Sequence, residues 1–473
     1  MSRYFTYRSL EQLRADIEAR GLDIDLADGV GLLLQPLRIG PLTAGNRLAV
    51  HPMEGCDATL DGRPGELTFR RWERFGAGGA KLIWGEATAV VPEGRANPRQ
   101  LLISGETAPD LERLLAATRR AHRERFGTDG DLIVGLQLTH SGRWSYPRPL
   151  LAQHISPVDA VKHISSDYPA LDDAYLEQLE GRFAEAAALA RRIGFDFVDV
   201  KQCHTYLLNE LLCARQREGP YGGSFENRTR FVRNVVAKIR SLTGDGFVLA
   251  SRVNVYDGLP FAKGADGVGR PAVSGPYPWG FGTDAERPLE PALAEPLRLI
   301  GLLRDLGVAM VNVTLGSPYY NPHVGRPFER ALVDGYQPPE HPLVGVARHF
   351  RAAAAVQQAY PDLVVVGTGY SWLRHYAPLA GAANVRAGRV SIMGLGRGAL
   401  AYPDFAADLV ERRQMSDRKT CLGDSYCTAL MRAKNNELGQ FPAGCVPRDP
   451  LYAAQLKLVK GGADVGSRRP AQP

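Results

Sequence analysis

The amino-acid sequence predicts an α/β protein built around a (β/α)8 barrel. Eight short apolar runs recur along the chain, and longer segments with helical periodicity lie between most of them. The apolar runs are nearly continuous, which is typical of parallel strands covered on both faces. A doubly wound open sheet is the alternative architecture, but no glycine fingerprint follows the first run.

The predicted elements follow from these patterns in chain order. The strands are 46–52, 80–87, 131–138, 195–201, 247–253, 308–314, 363–367 and 389–394. The helices with the clearest periodicity are 109–126, 173–193, 226–242, 291–306 and 343–359. Helix 173–193 has the strongest end signals, because Asp172 or Asp173 can cap its start and Gly194 follows its end.

We divide the chain into an N-terminal helical extension at 1–34, a barrel at 35–414 and a cysteine-containing C-terminal extension at 415–473. Ser9 and Gln12 have capping-box spacing at the start of the N-terminal helix. Three long segments follow strands three, five and six, and we expect them to form lids at the C-terminal face of the barrel. They are 141–169, 257–288 and 316–342.

Composition narrows the classes of function. The net charge of +6 comes from 57 basic and 51 acidic residues without a dense basic block, so no nucleic-acid partner is expected. No window of 18 apolar residues and no signal peptide is present, so we expect no membrane partner, a cytoplasmic location and reduced thiols. We expect a small-molecule substrate. Whether the protein forms a homo-oligomer stays an open question.

Reactive side chains follow the fourth predicted strand. Lys201, His204 and Tyr206 lie within six residues of one another, where a barrel strand opens onto the catalytic face. Gln137 and Arg252 are polar residues inside otherwise apolar strands, and burying them costs free energy unless they find partners. A structural polar contact is the alternative for both.

The ends of the last two strands predict a phosphate site. Gly367, Thr368 and Gly369 follow strand seven, and Gly396 and Arg397 follow strand eight. Backbone N–H groups at these turns can approach an anion, and barrels commonly bind phosphate there. A phosphorylated flavin would suit this site, but spacing alone does not distinguish it from a sugar phosphate.

Four segments carry a family resemblance. They are PLRIGPLTAGNRLAVHPM from Pro36, GLQLTHSGR from Gly135, YGGSFENRTRF from Tyr221 and MGLGRGALAYPDF from Met393. Together they resemble the Old Yellow Enzyme family of flavin oxidoreductases, over about 35–405. The chain is most similar to the longer subgroup that includes 2,4-dienoyl-CoA reductase and trimethylamine dehydrogenase.

The resemblance implies FMN in the barrel mouth. Pro52, Met53 and Ala87 would line the flavin ring, with Glu54 beside them, where some relatives have a cysteine that tunes the potential. Gln137 would bond the pyrimidine edge, and Arg252 would stabilise negative charge at N1 of the reduced flavin. The predicted phosphate residues are Gly367, Thr368, Gly369, Gly396 and Arg397.

The resemblance also implies an ene-reductase. NADH or NADPH would reduce FMN, and flavin N5 would pass hydride to the C=C bond of an α,β-unsaturated carbonyl compound. Tyr206 matches the proton donor, and Lys201 and His204 occupy the positions that polarise the carbonyl. A cationic donor favours an acidic or thioester substrate, and aromatic residues in the lids favour a ring-containing one.

Three alternatives stay open. The protein could instead oxidise its substrate and pass the electrons to an acceptor, as an amine or C–H dehydrogenase does. The barrel could be a non-redox isomerase or phosphate-binding protein. Lys201 could pair with Glu86 or Asp199 and only balance charge.

The C-terminal extension departs from the subgroup, in which four cysteines hold an iron–sulfur cluster. Cys421, Cys427 and Cys445 are present, but Asp424 stands where a second cysteine is expected, and one residue is missing. We therefore expect no iron–sulfur cluster and assign no metal ligands, with zinc as the alternative. The subgroup's dinucleotide-binding domain is also expected to be absent.

Overall fold

The computed structural model describes residues 4–332 and 335–465, and it confirms the predicted barrel. Eight parallel strands close on themselves in chain order. They are β1 Leu48–Val50, β2 Leu82–Ala89, β3 Ile133–Thr139, β4 Phe197–Val200, β5 Val248–Asn254, β6 Met310–Thr314, β7 Val364–Gly367 and β8 Ile392–Leu395. Each of the eight predicted strands is present.

A helix follows each strand before the next one begins. The barrel helices are α1 Glu66–Gly76, α2 Ala108–Phe126, α3 Asp173–Ile193, α4 Arg230–Thr243, α5 Ala294–Asp305, α6 Pro342–Ala359, α7 Ala377–Arg386 and α8 Phe405–Arg412. In α3, the side chain of Asp172 accepts a hydrogen bond from the Tyr175 N–H, and Gly194 follows with a φ of 104°. The end signals in the sequence therefore give the bounds of this helix.

The strands separate two apolar layers. Interior side chains such as Trp84, Phe197 and Met310 pack inside the barrel, while residues on the outer faces pack against the helices. A hairpin of Leu37–Ile39 and Leu42–Ala44 adds Ile39 and Ala44 to the interior cluster. Because apolar residues fill this part of the interior, polar chemistry is concentrated at the carboxyl ends of the strands.

Shorter elements lie outside the eight barrel strands and their helices. The N-terminal helix Leu10–Ala19 begins after Ser9, whose side chain accepts from the Gln12 N–H. The β5 lid contains a hairpin of Phe261–Lys263 and Gly269–Pro271. The remaining α-helices are Ser156–Lys162, Leu207–Leu212, Phe225–Arg228, Pro322–Gly325, Arg397–Ala401, Tyr426–Arg432 and Pro450–Val465. The 3-10 turns are Gly31–Leu34, Pro92–Gly94, Gly142–Trp144, Tyr370–Tyr376 and Asp417–Lys419.

The C-terminal extension lies against the barrel mouth. The Ala443 N–H donates to the Gly55 carbonyl at 2.7 Å, close after β1. Asp449 forms ion pairs with Arg70 at 2.8 Å and Arg74 at 2.9 Å, both on α1. The extension is therefore anchored to the face where β1 ends. Within 4–332 and 335–465, none of the helices has the length and apolar character needed to span a membrane.

Candidate active site

One cleft at the carboxyl ends of the strands gathers nearly all the predicted site residues. Its lining includes Pro52, Met53, Glu54, Ala87, Gln137, Lys201, His204, Tyr206, Arg252, Thr368, Gly369, Gly396 and Arg397. Gly367 is the one predicted site residue that is not part of this lining. The roles assigned to these residues from the sequence stay predictions.

A buried carboxylate organises the strand ends beside the cleft. Asp199 accepts hydrogen bonds from Trp84 Nε1 at 2.7 Å, Gln137 Nε2 at 2.5 Å and the Arg252 N–H at 2.8 Å. Burial raises the pKa of Asp199 to about 6, although these donors oppose the shift. Asp199 therefore fixes the orientation of the Gln137 amide, which the sequence singled out without indicating its partner.

Nε of Arg252 and Nδ1 of His51 are among the nitrogen atoms of the cleft lining that are buried without a hydrogen-bond partner among the described residues. His51 Nε2 lies 3.2 Å from the Gly367 carbonyl oxygen, and burial lowers the pKa of His51 to about 3. An unpaired buried cation costs free energy, so this part of the cleft suits a ligand with electronegative atoms.

The loop after β4 has a strained backbone. His204 and Thr205 are consecutive residues with φ of 65° and 55°, a region that residues other than glycine rarely adopt. The Thr205 N–H donates to Asn209 Oδ1 at 2.6 Å, and the Thr205 hydroxyl donates to Ser317 Oγ at 3.1 Å. These bonds hold a conformation that costs about 1–3 kcal/mol per residue, as is common at functional sites.

Lys201 and Tyr206 lie in direct contact. Lys201 Nζ is 3.6 Å from the centroid of the Tyr206 ring, which is a cation–π geometry. The Tyr206 hydroxyl is 2.9 Å from the Tyr319 hydroxyl, and the Tyr319 ring stacks on Trp144 at 3.8 Å. Burial raises the pKa of Tyr206 and lowers the pKa of Lys201. The strand-four loop and two lids thus form one aromatic wall around the ammonium group.

The charge-balancing alternative for Lys201 has no ion pair to support it within the described residues. Glu86 instead bonds Arg71 at 2.6 Å, while Asp199 is bonded by Gln137 and the other donors given above. Lys201 lines the cleft, and its role toward a ligand stays a prediction.

Glu54 is an acid in the same lining. Its Oε1 accepts from Asn97 Nδ2 at 2.5 Å. Burial raises the pKa of Glu54 to about 7, with Lys201 opposing and Glu86 reinforcing the shift. Glu54 therefore changes charge near neutral pH.

Two glycines leave space for a close approach to the backbone. Gly369 has a φ of 99°, and a Cβ there would lie 2.7 Å from the Cβ of His349. A Cβ at Gly396 would lie 2.9 Å from Sδ of Met53. Larger residues at either turn would therefore intrude on their neighbours.

The other predicted phosphate residues differ in how far they are engaged. One terminal nitrogen of Arg397 donates to the Pro327 carbonyl at 2.7 Å, while Nη1 is buried without a partner among the described residues. The Thr368 hydroxyl donates to the Val313 carbonyl at 2.7 Å. Gly367 ends β7, and its carbonyl oxygen contacts His51 Nε2 as described above. Among the predicted phosphate residues, Arg397 is the one with a buried side-chain nitrogen that has no partner in the described part of the chain.

The sequence missed the contribution of the C-terminal extension to the cleft. Cys427, Thr428, Met431 and Ala443 line it, together with Arg326 from the β6 lid. Within 4–332 and 335–465, no group of three His, Cys, Asp or Glu side chains could hold a metal ion. The metal-free extension itself stays a prediction.

Comparison with known proteins shows the family. The sequence model of the family described as NADH:flavin oxidoreductase / NADH oxidase family matches residues 32–269. The NADPH dehydrogenase of Geobacillus sp. (strain WCH70) is 30% identical over 248 residues, which cover 49% of this chain and 68% of that protein. These matches confirm the family resemblance, while the narrower resemblance to one subgroup stays a prediction.

Solved structures support the same fold. A 2-naphthoyl-CoA reductase in complex with 2-naphthoyl-CoA has a TM-score of 0.62 at 16% identity, covering 81% of this chain and 52% of that one. This chain thus spans about half the length of that reductase. The Old Yellow Enzyme homologue of Zymomonas mobilis has a TM-score of 0.56 at 19% identity, covering 82% of this chain and 94% of that one. The chain therefore belongs to the NADH:flavin oxidoreductase / NADH oxidase family and shares the barrel of the Old Yellow Enzymes.

Proposed function

We propose that this protein is an FMN-dependent reductase that uses NADH or NADPH to reduce the C=C bond of an α,β-unsaturated carbonyl compound. The observation that carries this proposal is the convergence of Lys201, His204 and Tyr206 on the cleft that contains the unpaired Arg252 nitrogen. This arrangement combines hydrogen-bond donors for an oxyanion with a hydroxyl that can transfer a proton.

The residues present fit FMN. Arg252 and Arg397 each retain a buried nitrogen without a partner among the described residues, and these suit the polar edge of the flavin and its phosphate. Gly369 and Gly396 allow the backbone to approach a phosphate closely. Gln137, held by Asp199, presents an amide to the ring. When bound, FMN would supply the centre that accepts hydride from NADH or NADPH and passes it on.

Lys201 and His204 would hold the substrate carbonyl. Burial lowers the pKa of His204 well below its usual value, so this imidazole is neutral and donates one N–H. Lys201 adds donors and nearby positive charge, which stabilise an oxygen that becomes negative in the transition state. Donors in such a site are worth about 2.7–4 kcal/mol each.

Tyr206 would protonate the α carbon of the substrate. Its hydroxyl is buried and bonded to the Tyr319 hydroxyl, so a proton that leaves Tyr206 can be replaced through Tyr319. The basic enolate formed by hydride addition makes a phenol of high pKa a suitable donor.

The cleft suits an acidic or thioester substrate that contains a ring. Lys201 attracts negative charge, and the stacked Tyr319 and Trp144 rings provide a flat apolar wall. A fold neighbour bound to an aromatic CoA thioester is consistent with this substrate class.

An amine dehydrogenase is the second candidate. The wall formed by Trp144, Tyr206 and Tyr319 could bind an organic cation through its ring faces. Lys201, 3.6 Å from the Tyr206 ring centroid, repels such a cation and makes this function the weaker candidate.

The proposal is tested with the purified full-length protein. Its absorption spectrum and the identity of its released flavin are recorded first. Anaerobic titration with NADH and NADPH, followed by a cyclic enone, should reduce and then reoxidise bound FMN. A protein that retains no FMN after reconstitution contradicts the proposal. Fast reduction by an amine with slow reduction by both nicotinamides would establish the second candidate instead.

A further inference from the structure

A second cavity adjoins the active-site cleft on the lid side. It has a volume of about 190 Å³ and lies between the β5 hairpin, the β6 lid and the C-terminal extension. We call it the remote pocket, and its lining includes Phe261, Lys263, Tyr319, Tyr320, Pro322, Arg326, Phe328, Tyr336, Ser425 and Arg432. Tyr319, Pro322 and Arg326 line both cavities, so the two cavities are adjacent.

Cationic side chains contribute to the lining of the remote pocket. They belong to Lys263, Arg326 and Arg432. Arg326 Nη1 donates to Thr428 Oγ1 at 2.6 Å, but its Nε is buried without a partner in the described part of the chain. Burial, together with Arg397 and Arg432, lowers the pKa of Arg326 to about 9. An anion would stabilise this arginine.

Ser425 is an independent sign of a ligand. It is only 2% exposed, and its Oγ has no hydrogen-bond partner among the described residues. Its φ of 62° is unusual for a residue other than glycine. Buried hydroxyl groups are normally bonded, so a polar ligand in the adjoining pocket accounts for the unsatisfied Ser425.

The walls of the pocket are aromatic. Phe261 lies 4.6 Å from His323 and 6.0 Å from Tyr336, measured between ring centroids, and Tyr320 and Phe328 are buried nearby. A pocket of about 300–1,000 Å³ encloses a whole drug-sized ligand, so this smaller cavity suits one end of a longer molecule. Flat apolar walls beside cations match a heteroaromatic ring that carries phosphate.

We propose that the remote pocket binds the phosphorylated adenosine end of a ligand whose reactive end lies in the active-site cleft. The identity of this ligand rests on the proposed function, since both NADPH and a coenzyme A thioester carry such an end. The two sources differ in the position of the ribose phosphate, which is 2′ in NADPH and 3′ in coenzyme A.

The test is a binding measurement on the full-length holoprotein. Adenosine 2′,5′-bisphosphate, adenosine 3′,5′-bisphosphate, adenosine and inorganic phosphate are titrated by calorimetry. At least one bisphosphate should bind at least tenfold more tightly than adenosine or phosphate alone. Tighter binding of the 2′,5′ isomer identifies NADPH as the source, tighter binding of the 3′,5′ isomer identifies a thioester, and equal binding supports the pocket for both.

A matched pair of variants locates the site. Lys263→Gln should weaken bisphosphate binding by about tenfold, the loss expected for one charge-assisted hydrogen bond. Arg270→Gln removes a cation from the same exposed hairpin but outside the pocket lining, so its affinity should equal that of the wild type. Equal effects of the two changes, or no binding of either bisphosphate, overturn the proposal.

Flavin measurements separate this proposal from the proposed function. Bound FMN that NADPH reduces, in a protein that binds neither bisphosphate, overturns the remote pocket alone. Bisphosphate binding that depends on Lys263, in a protein that retains no FMN, overturns the reductase and supports the pocket.

Discussion

The hydroxyl oxygens of Tyr206 and Tyr319 lie 2.9 Å apart and form one hydrogen bond. Tyr206 follows β4, whereas Tyr319 belongs to the lid after β6, so the bond joins two segments that are distant in the sequence. The candidate proton donor is therefore bonded to a residue of the β6 lid, and we expect this lid to contribute to proton transfer as well as to cover the cleft.

Tyr206→Phe should slow the reduction of an enone by about 100- to 10,000-fold, the usual contribution of a positioned general acid. Reduction of bound flavin by NADPH should change little, because the role proposed for Tyr206 is confined to the second half of the reaction. Stopped-flow measurement of both half-reactions checks this. Tyr319→Phe should have a smaller effect on the same half-reaction, and an equal loss in both half-reactions would contradict the role of Tyr206.

Lys201→Met should lower kcat for an enone by about 100- to 1,000-fold, as expected when a donor to a developing oxyanion is removed. The methionine keeps most of the length of the side chain but removes the charge and the N–H groups. Lys162→Met is the control, since Lys162 Nζ also lies over an aromatic ring, 5.4 Å from Trp144, but is not part of the cleft lining. Similar losses in the two variants would show that Lys201 acts only through the overall positive electrostatic potential around the cleft, and not as a hydrogen-bond donor.

Several site residues could be predicted from the sequence because each violates a local pattern. Gln137 and Arg252 interrupt apolar strands, and Lys201 and His204 crowd the end of one, so barrel topology alone places them at the same face. The bounds of α3 were predictable for a similar reason, because its cap and its terminal glycine are local signals.

Residues that reach the cleft through tertiary packing were not predictable. Thr428 and Met431 lie in a short helix whose position depends on how the extension crosses the barrel. Asp449, which anchors that extension to α1, has no sequence signal that indicates Arg70 and Arg74 as its partners. Gly367 was predicted to line the site but does not. A glycine-rich turn predicts a ligand site without specifying which of its residues faces the ligand.

Glu54→Gln should change the pH dependence of the flavin midpoint potential. The pKa of Glu54 is raised to about 7, so its carboxyl group is mainly neutral at pH 6 and mainly ionised at pH 8. An ionised carboxylate disfavours the addition of electrons nearby, so the variant should have the higher potential at pH 8 and the wild-type potential at pH 6. Spectroelectrochemical titration at both pH values checks this, and identical potentials at pH 8 would contradict it.

Asp449→Asn should loosen the C-terminal extension from the barrel. Asp449 is largely buried and bonds two arginines of α1, so the amide leaves both cations without their carboxylate. Backbone amides in the segment 421–449 should exchange with deuterium faster, while those in β1–β8 should be unchanged. Glu411→Gln, which removes a more exposed ion pair with Arg125, is the control and should leave the exchange unaltered.

Glu210→Gln should destabilise the protein by about 3 kcal/mol, the lower end of the cost of breaking a buried ion pair. Glu210 and Arg143 are both 0% exposed, and Glu210 also accepts from the backbone N–H groups of Ala152 and Gln153. Neutralising Glu210 leaves the guanidinium of Arg143 buried, with Asp159 as its remaining carboxylate partner among the described residues.

The matched control for this change is Glu185→Gln, which breaks an exposed pair with Arg182 and should cost less than about 0.5 kcal/mol. Urea denaturation of the two variants gives both values under the same conditions. Glu210 lies in the helix that follows Tyr206, and Arg143 lies in the β3 lid. The destabilised variant should therefore also lose activity toward an enone at urea concentrations where the barrel is still folded. Equal stability losses in the two variants would show that this buried pair does not hold the lid.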